Sequence, residues 1–277
     1  MLAHKFTDFG HELKYPLFVQ PKLDGIRCIA VVEKDRVTLW SREQKQITAV
    51  PHIQHAINDL RLPAGTVLDG ELYNHQLQSD FEKIASCVRK KEPASDEKQK
   101  LIEYHVYDLP RHPTLAADAP FAERHDKLNT IFSSNFNPSL VLVRTESVAN
   151  FEELSKWTES FLAFGYEGAM ARANAPYEEN KRSHFLQKIK KFDESEFQIV
   201  GVEEGVGKMA GMAIFVCQTL DGQEFRCKME GALDNLRSYL TDESLWKGKM
   251  LTVKYQGFTS KNKVPRFPVG KSIRDYE

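Results

Sequence analysis

A lysine stands where covalent chemistry is easiest to read in this chain. Lys22 lies in Lys22-Leu23-Asp24-Gly25-Ile26-Arg27, directly after the apolar stretch Leu17-Phe18-Val19, which puts it at the end of an expected strand. An amine attacks only when deprotonated, and an ordinary lysine pKa of about 10.4 leaves it charged at neutral pH. Burial and neighbouring cations lower that value and free the lone pair. The local sequence gives Lys22 no ion-pair partner, so it is expected to carry no salt bridge. Gly25 allows a turn and close approach of a bulky substrate. Arg27 opens the strand Arg27-Cys28-Ile29-Ala30-Val31-Val32 and offers a planar donor fork to a sugar or phosphate. Taken alone, the hexapeptide reads more readily as a surface lysine beside a tight Asp-Gly turn, and it needs partners to become convincing.

Companion residues follow in order down the chain. Ser41-Arg42 comes after the strand Val37-Thr38-Leu39-Trp40, and Asp69-Gly70-Glu71 is expected to close the strand Thr66-Val67-Leu68. Tyr107-Asp108 is expected to end a strand running from Ile102 to Val106. Glu167-Gly168 and Lys188-Ile189-Lys190 complete the series. In this order the residues resemble the motifs of the covalent nucleotidyltransferases, the superfamily of ATP-dependent DNA ligases, RNA ligases and mRNA capping enzymes. The resemblance runs from about residue 17 to the C-terminus. Pro265-Arg266-Phe267-Pro268-Val269, followed by Ile273-Arg274-Asp275, resembles the C-terminal segment of the ATP-dependent DNA ligases in particular. An RNA ligase and a GTP-dependent capping enzyme are the alternatives within the superfamily.

The resemblance implies a division of labour. Lys22 would carry AMP, and Glu71, Arg27 and Tyr107 would hold the ribose and base of ATP. Lys188, Lys190, Arg182 and Arg274 would contact its phosphates, and Asp24 and Glu167 would hold Mg²⁺ or Mn²⁺. Gln20 is placed by its position relative to Lys22 to read the adenine edge. Arg42 would hold the 5′-phosphate of nicked double-stranded DNA, the implied partner. Gly205 to Gly211 lacks the hydroxyl residue and glycine spacing of a P-loop, and reads as a hairpin turn offering Lys208 to the DNA backbone.

Composition sets the bounds for this reading. The 277 residues are 41% hydrophobic and 28% charged, which suits globular domains with their own cores. A formal net charge of -1 excludes a global basic field, so nucleic-acid contact must come from locally clustered Lys and Arg. Four cysteines without CxxC spacing argue for reduced, buried thiols and against a zinc site. The segment Met1 to Phe6 lacks an apolar signal region, and no stretch reaches the length of a membrane span. A monomeric cytoplasmic protein, bacterial or in a viral host, is the expectation, with no helical DNA-binding domain before Lys22.

The elements that must position these residues read as α+β. An adenylation (nucleotidyltransferase) domain of mixed antiparallel sheets and helices is expected over 1-191, followed by a β-barrel OB-fold domain over 192-277. In the first, strands around 27–33 and 36–41 form a hairpin across Lys34-Asp35. Pro51 opens a helix with Ile53, Ala56, Ile57 and Leu60 on one face. His52 and His55 share that helix without a third ligand. Phe81 to Val88 reads as a helix, Arg89 to Lys100 as a charged loop, and Asn150 as the N-cap of a helix that ends at Gly165. From Phe192 the texture changes to short strands with a hairpin signal at Asp221-Gly222 and one helical stretch, Leu233 to Leu240. A hinge is expected at Lys191 to Ser195.

Overall fold

The computed structural model describes residues 1–90, 97, 100–190, 192–231, 233–240, 242–259 and 261–274, the side chains of 8, 9, 233–235 and 243 excepted. Asp275, Lys191 and most of the charged segment 91–99 lie outside the described residues. The chain divides into two compact units, Met1–Lys190 and Lys191–Glu277.

Two five-stranded sheets build the first unit. One contains β1 (Leu2–Lys5), β2 (Leu17–Pro21), β8 (Glu146–Val148), β9 (Gly168–Ala173) and β10 (Arg182–Lys190), in the order β1-β10-β9-β2-β8. The other contains β3 (Ile26–Val32), β4 (Val37–Ser41), β5 (Val67–Tyr73), β6 (Glu103–Arg111) and β7 (Leu140–Leu142), in the order β4-β3-β5-β6-β7. The chain passes from the first sheet to the second through 22–25, so Lys22 leaves one sheet as Ile26 enters the other.

Sequence periodicity dictates the helices that cover these sheets. Pro51–Asp59 starts on proline and buries Ile53, Ala56 and Ile57 against the second sheet's core, as the spacing requires. Phe81–Val88 is capped by Asp80, whose side chain accepts from Lys83 N. Phe151–Ala163 is capped by Asn150, which accepts from Glu153 N, and is followed by Gly165 in the left-handed region. His52 Nε2 donates to Ile102 O at 2.8 Å, a structural contact, and no cluster of three potential metal ligands exists among the described residues.

Two expected strand ends are strand interiors. Asp69-Gly70-Glu71 lies in the middle of β5, and Tyr107-Asp108 lies within β6. An alternating apolar pattern breaks at these polar residues, but both strands are held by paired neighbours: β5 lies between β3 and β6, with register shifts around Asp69. The absence of a side chain at Gly70 admits Tyr104, whose buried hydroxyl donates to Cys28 O at 3.0 Å and Leu68 O at 3.1 Å.

The second unit is a closed five-stranded barrel: β11 (Asp193–Glu204), β12 (Ala213–Gln218), β13 (Glu224–Met229), β14 (Met250–Tyr255) and β15 (Val269–Arg274). Phe197, Phe215, Phe225, Leu251 and Val253 fill its interior. Gly222, in the left-handed region, turns β12 into β13 as Asp221-Gly222 announces. β11 begins at Asp193, inside the expected hinge, because Asp193 already pairs with Tyr255. All four cysteines are free and buried, and no helix of the described residues is long and apolar enough to cross a membrane.

Gly70 offers a direct test of this packing. A Cβ there would stand 2.6 Å from both His105 O and the Tyr104 ring. Gly70→Ala should cost about 1–3 kcal/mol through overpacking, read as a lowered midpoint in thermal denaturation.

Candidate active site

Strand pairing assembles the site. Lys22 N donates to Gly168 O at 2.9 Å, and Glu167 N donates to Lys22 O at 3.1 Å, so the ends of β2 and β9 are locked together. β9 and β10 are antiparallel neighbours, with Lys190 opposite Gly168. These two registers bring three side chains to one point: Lys22 Nζ donates to Glu167 Oε2, and Lys190 Nζ donates to Glu167 Oε1. Lys22 therefore does carry a salt bridge, contrary to the sequence expectation. Its partner is 145 residues away in the chain, beyond any local reading.

The charges in this cluster are mutually adjusted. Burial would raise the Glu167 carboxyl, but Lys22 and Lys190 hold it below the usual carboxylate range. Lys190 is lowered by burial and then by the charge of Lys22. Lys188 is lowered by burial and then by Lys190 and Lys22.

A cavity of about 330 Å³ opens beside Lys22. Gln20, Lys22, Arg27, Glu71, Tyr107, Arg182 and Lys188 line it, and Arg42 stands at its border with a neighbouring cavity. Six residues expected at a nucleotide site are thus brought together with Lys22 by strands from both sheets. Glu167 and Lys190 join through their ion pairs. Lys208, in the loop between β11 and β12, and Arg274, in β15, belong to the barrel unit. Arg274 Nε donates to Thr252 Oγ1 at 3.0 Å.

Two of these residues are engaged otherwise than expected. Gln20 is 2% exposed, and its amide donates to Tyr107 O at 3.1 Å and to Thr145 Oγ1 at 2.9 Å. Its oxygen accepts from Arg172. The amide thus braces the strand that carries Tyr107 rather than offering its donors to the cavity. Arg27 pairs through two bonds with Asp69, at 2.9 Å and 2.8 Å, and also donates to Tyr177 Oη at 3.0 Å.

Sequence reasoning passed over the groups beneath. Asp108, fully buried, accepts from Arg124, from Arg172 and from its neighbour Leu109 N. Burial alone would raise its carboxyl, yet Arg172 and then Arg124 hold it low. Tyr177 Oη donates to Asp69 Oδ2 at 2.7 Å. The one local signal for such a cluster was a series of charged residues inside apolar strands and a helix face: Asp108, Arg124 and Arg172.

Two carboxylates, Asp24 and Glu167, were expected to hold a metal. Mg²⁺ takes one or two protein carboxylates and completes its shell with water and phosphate oxygens. Such a donor set fits here, with hard oxygen ligands beside a cationic cavity. Both Glu167 oxygens are paired with lysines in this arrangement, so a cation there would take over a place now held by ammonium groups.

Glu71 gives the site a pH signature. Burial pushes its carboxyl up to about 8 from an ordinary 4.5, against the opposing charge of Lys22. The folded protein therefore keeps a proton that the unfolded chain releases near pH 4.5. This stabilisation is complete below about 4.5 and is lost as pH rises through about 8. Glu71→Gln should flatten the decline of unfolding free energy over that interval, measured by chemical denaturation across pH. An unchanged profile would contradict the assignment.

Comparison with known proteins agrees with this assembly. Residues 1–190 match the family model of the ATP dependent DNA ligase domain, and residues 204–274 match that of the DNA ligase OB-like domain. The DNA ligase of African swine fever virus (strain Badajoz 1971 Vero-adapted) is 29% identical over 264 residues, covering 89% of this chain and 61% of the relative. The chain thus spans about three fifths of the length of that curated relative. A solved structure from work on Lig E DNA ligases superposes with a TM-score of 0.77 at 24% identity, covering 99% of this chain and 98% of the other. The Chlorella virus DNA ligase-adenylate superposes with a TM-score of 0.55 at 23% identity, covering 100% of this chain and 98% of the other. With a family model matching every residue from Met1 to Lys190 and a second matching the barrel, the chain belongs to the ATP-dependent DNA ligases.

Proposed function

We propose that this protein seals nicks in double-stranded DNA, joining a 5′-phosphate to a 3′-hydroxyl at the expense of ATP. The observation that carries the reading is Lys22 at the wall of a cavity that also holds Glu71, Tyr107, Arg182 and Lys188. A nucleophilic amine, a ring for stacking, and cations for phosphates are what lysine adenylation needs.

In the first step the Lys22 amine attacks the α-phosphorus of ATP, a phosphorus–nitrogen bond forms, and pyrophosphate leaves. Tyr107 supplies the face on which the base stacks, and Gln20 supports it from behind. Glu71 bonds the ribose. Lys188, Lys190, Arg182 and, from the barrel unit, Arg274 stabilise negative charge on the phosphoryl oxygens. Before attack the Lys22 ammonium must leave Glu167 and lose its proton. When bound by Glu167 and Asp24, Mg²⁺ or Mn²⁺ would supply charge neutralisation at the phosphates. In the second step an oxygen of the 5′-phosphate, which Arg42 orients, attacks the AMP phosphorus and the phosphorus–nitrogen bond breaks, freeing the Lys22 amine; in the third the 3′-hydroxyl attacks the 5′-phosphate, gives up its proton and expels AMP. Lys208 adds a backbone contact from the barrel. The protein acts as a monomer in this scheme, on nicks of the kind left by replication, repair or recombination.

Two substitutions test the scheme. Lys22→Ala should abolish the acid-labile adduct formed with α-labelled ATP, and a labelled band that survives would remove Lys22 as nucleophile. Arg42→Ala should lower sealing of a 5′-phosphorylated nick by roughly tenfold or more relative to self-adenylation, the worth of a charge-assisted phosphate bond. Equal loss in both assays would place Arg42 with the nucleotide instead.

A further inference from the structure

Between β9 and β10 the chain crosses through 174–181, and the start of this crossing is pinned to the helix Phe121–Ser133. Asn174 Oδ1 accepts from Ala122 N at 2.9 Å, and Arg124 Nη1 donates to Ala175 O at 3.1 Å. The Arg124 guanidinium also stands 5.7 Å from the centre of the Tyr177 ring. These ties hold the Tyr177 hydroxyl against Arg27 of β3 and Asp69 of β5, in the other sheet.

The hydroxyl is saturated by its neighbours. It donates to Asp69 Oδ2 at 2.7 Å, and it accepts from Arg27 Nη2 at 3.0 Å and from the Met1 amino nitrogen at 2.8 Å, so its donor and both acceptor sites are engaged. Asp69, 2% exposed, takes Arg27 Nε on Oδ1 and Nη2 on Oδ2. Arg27, Asp69 and Tyr177 therefore close a ring of hydrogen bonds along one edge of the guanidinium. Three of its five N–H donors are used there, and among the described residues Nη1 has no partner.

The two cavities show which way Nη1 matters. Arg27 lines the cavity beside Lys22 and also a neighbouring one of about 570 Å³. Asp69 borders the first and Tyr177 only the second, so the tyrosine meets Arg27 from outside the Lys22 cavity. Arg27 and Glu71 are direct cross-strand partners of β3 and β5, and both line the Lys22 cavity. Their side chains stand as near neighbours on one face of the sheet. Without the tyrosine hydroxyl, a guanidinium held by Asp69 alone could tilt toward either cavity that it borders.

We propose that Tyr177 is a positioning residue that aims Arg27 Nη1, beside Glu71, at a ribose hydroxyl of the bound nucleotide. The proposal rests on the ligase reading, in which Arg27 and Glu71 hold the ribose, and adds the group that orients Arg27. Tyr177 touches neither the nucleotide nor the reacting atoms. Its contribution is to fix a donor before the substrate arrives, which spares the bound complex the loss of that freedom.

The test follows self-adenylation of the full chain with α-labelled ATP and with the labelled 2′-deoxy and 3′-deoxy analogues. Tyr177→Phe should raise KM for ATP about tenfold, as loss of one charge-assisted bond does, and leave kcat within about twofold. With the analogue that lacks the hydroxyl met by Arg27, the unsubstituted protein should already show the raised KM, and Tyr177→Phe should raise it no further. A loss of equal size on ATP and on both analogues would overturn the proposal, because a merely structural role is blind to the ribose. An unchanged KM for ATP in the variant would overturn it as well. Failure of Tyr177→Phe to unfold cooperatively in thermal denaturation would assign the hydroxyl to stability instead. The unsubstituted protein gives a reading that does not depend on the variant: equal KM for ATP and both analogues leaves Arg27 without a ribose contact and sinks the idea. No adduct from ATP in the unsubstituted protein overturns the ligase reading itself, whereas an adduct whose formation ignores the ribose overturns only the role of Tyr177.

Discussion

One carboxylate held between two ammonium groups organises the site. Glu167, Lys22 and Lys190 are each largely withdrawn from water, and the two ammonium groups hold the Glu167 carboxyl below its usual range. Their meeting fixes where β2, β9 and β10 end relative to one another, and the cavity beside Lys22 opens along those ends. Removing Glu167 would leave the two ammonium groups facing each other without their shared counter-charge, whereas loss of either lysine leaves Glu167 paired with the other. In the proposed reaction, a substrate carrying phosphates and a divalent cation would offer the same charges in a different arrangement.

Beneath that cluster lies a second, wholly internal one. Asp108 joins Arg124 of the helix Phe121–Ser133 to Arg172 of β9, and Arg172 reaches Gln20 of β2. The two sheets are thereby tied by charges as well as by apolar packing. The tie passes directly behind Tyr107, through the Gln20 amide bonded to the Tyr107 carbonyl. The strand that carries Tyr107 is thus held from behind by a buried polar network, which fixes the plane that the proposed stacking role needs.

Much of this was legible in the chain because the reacting groups come in short runs: Lys22 to Arg27, Asp69 to Glu71, Lys188 to Lys190. The helices were legible from caps and spacing, as Pro51, Asp80 and Asn150 illustrate. Strand lengths were misread where polar residues interrupt the apolar pattern, since pairing on both sides, not local composition, carries β5 through Asp69 and β6 through Asp108. Ion pairs were the least legible. Lys22 with Glu167, Arg27 with Asp69, and Arg172 with Asp108 meet only after distant strands pair, and a charge in sequence carries no mark of its partner.

The reciprocal backbone bonds between Lys22 and the Glu167-Gly168 pair restrict how Lys22 can work as the proposed nucleophile. Its main chain is anchored at both the amide and the carbonyl, so Lys22 cannot travel as part of a swinging loop. All the reach available to a group carried on its amine resides in four methylenes. Delivery is thus a matter of bringing the acceptor to a stationary post, and the motion of a turnover falls to whatever approaches it.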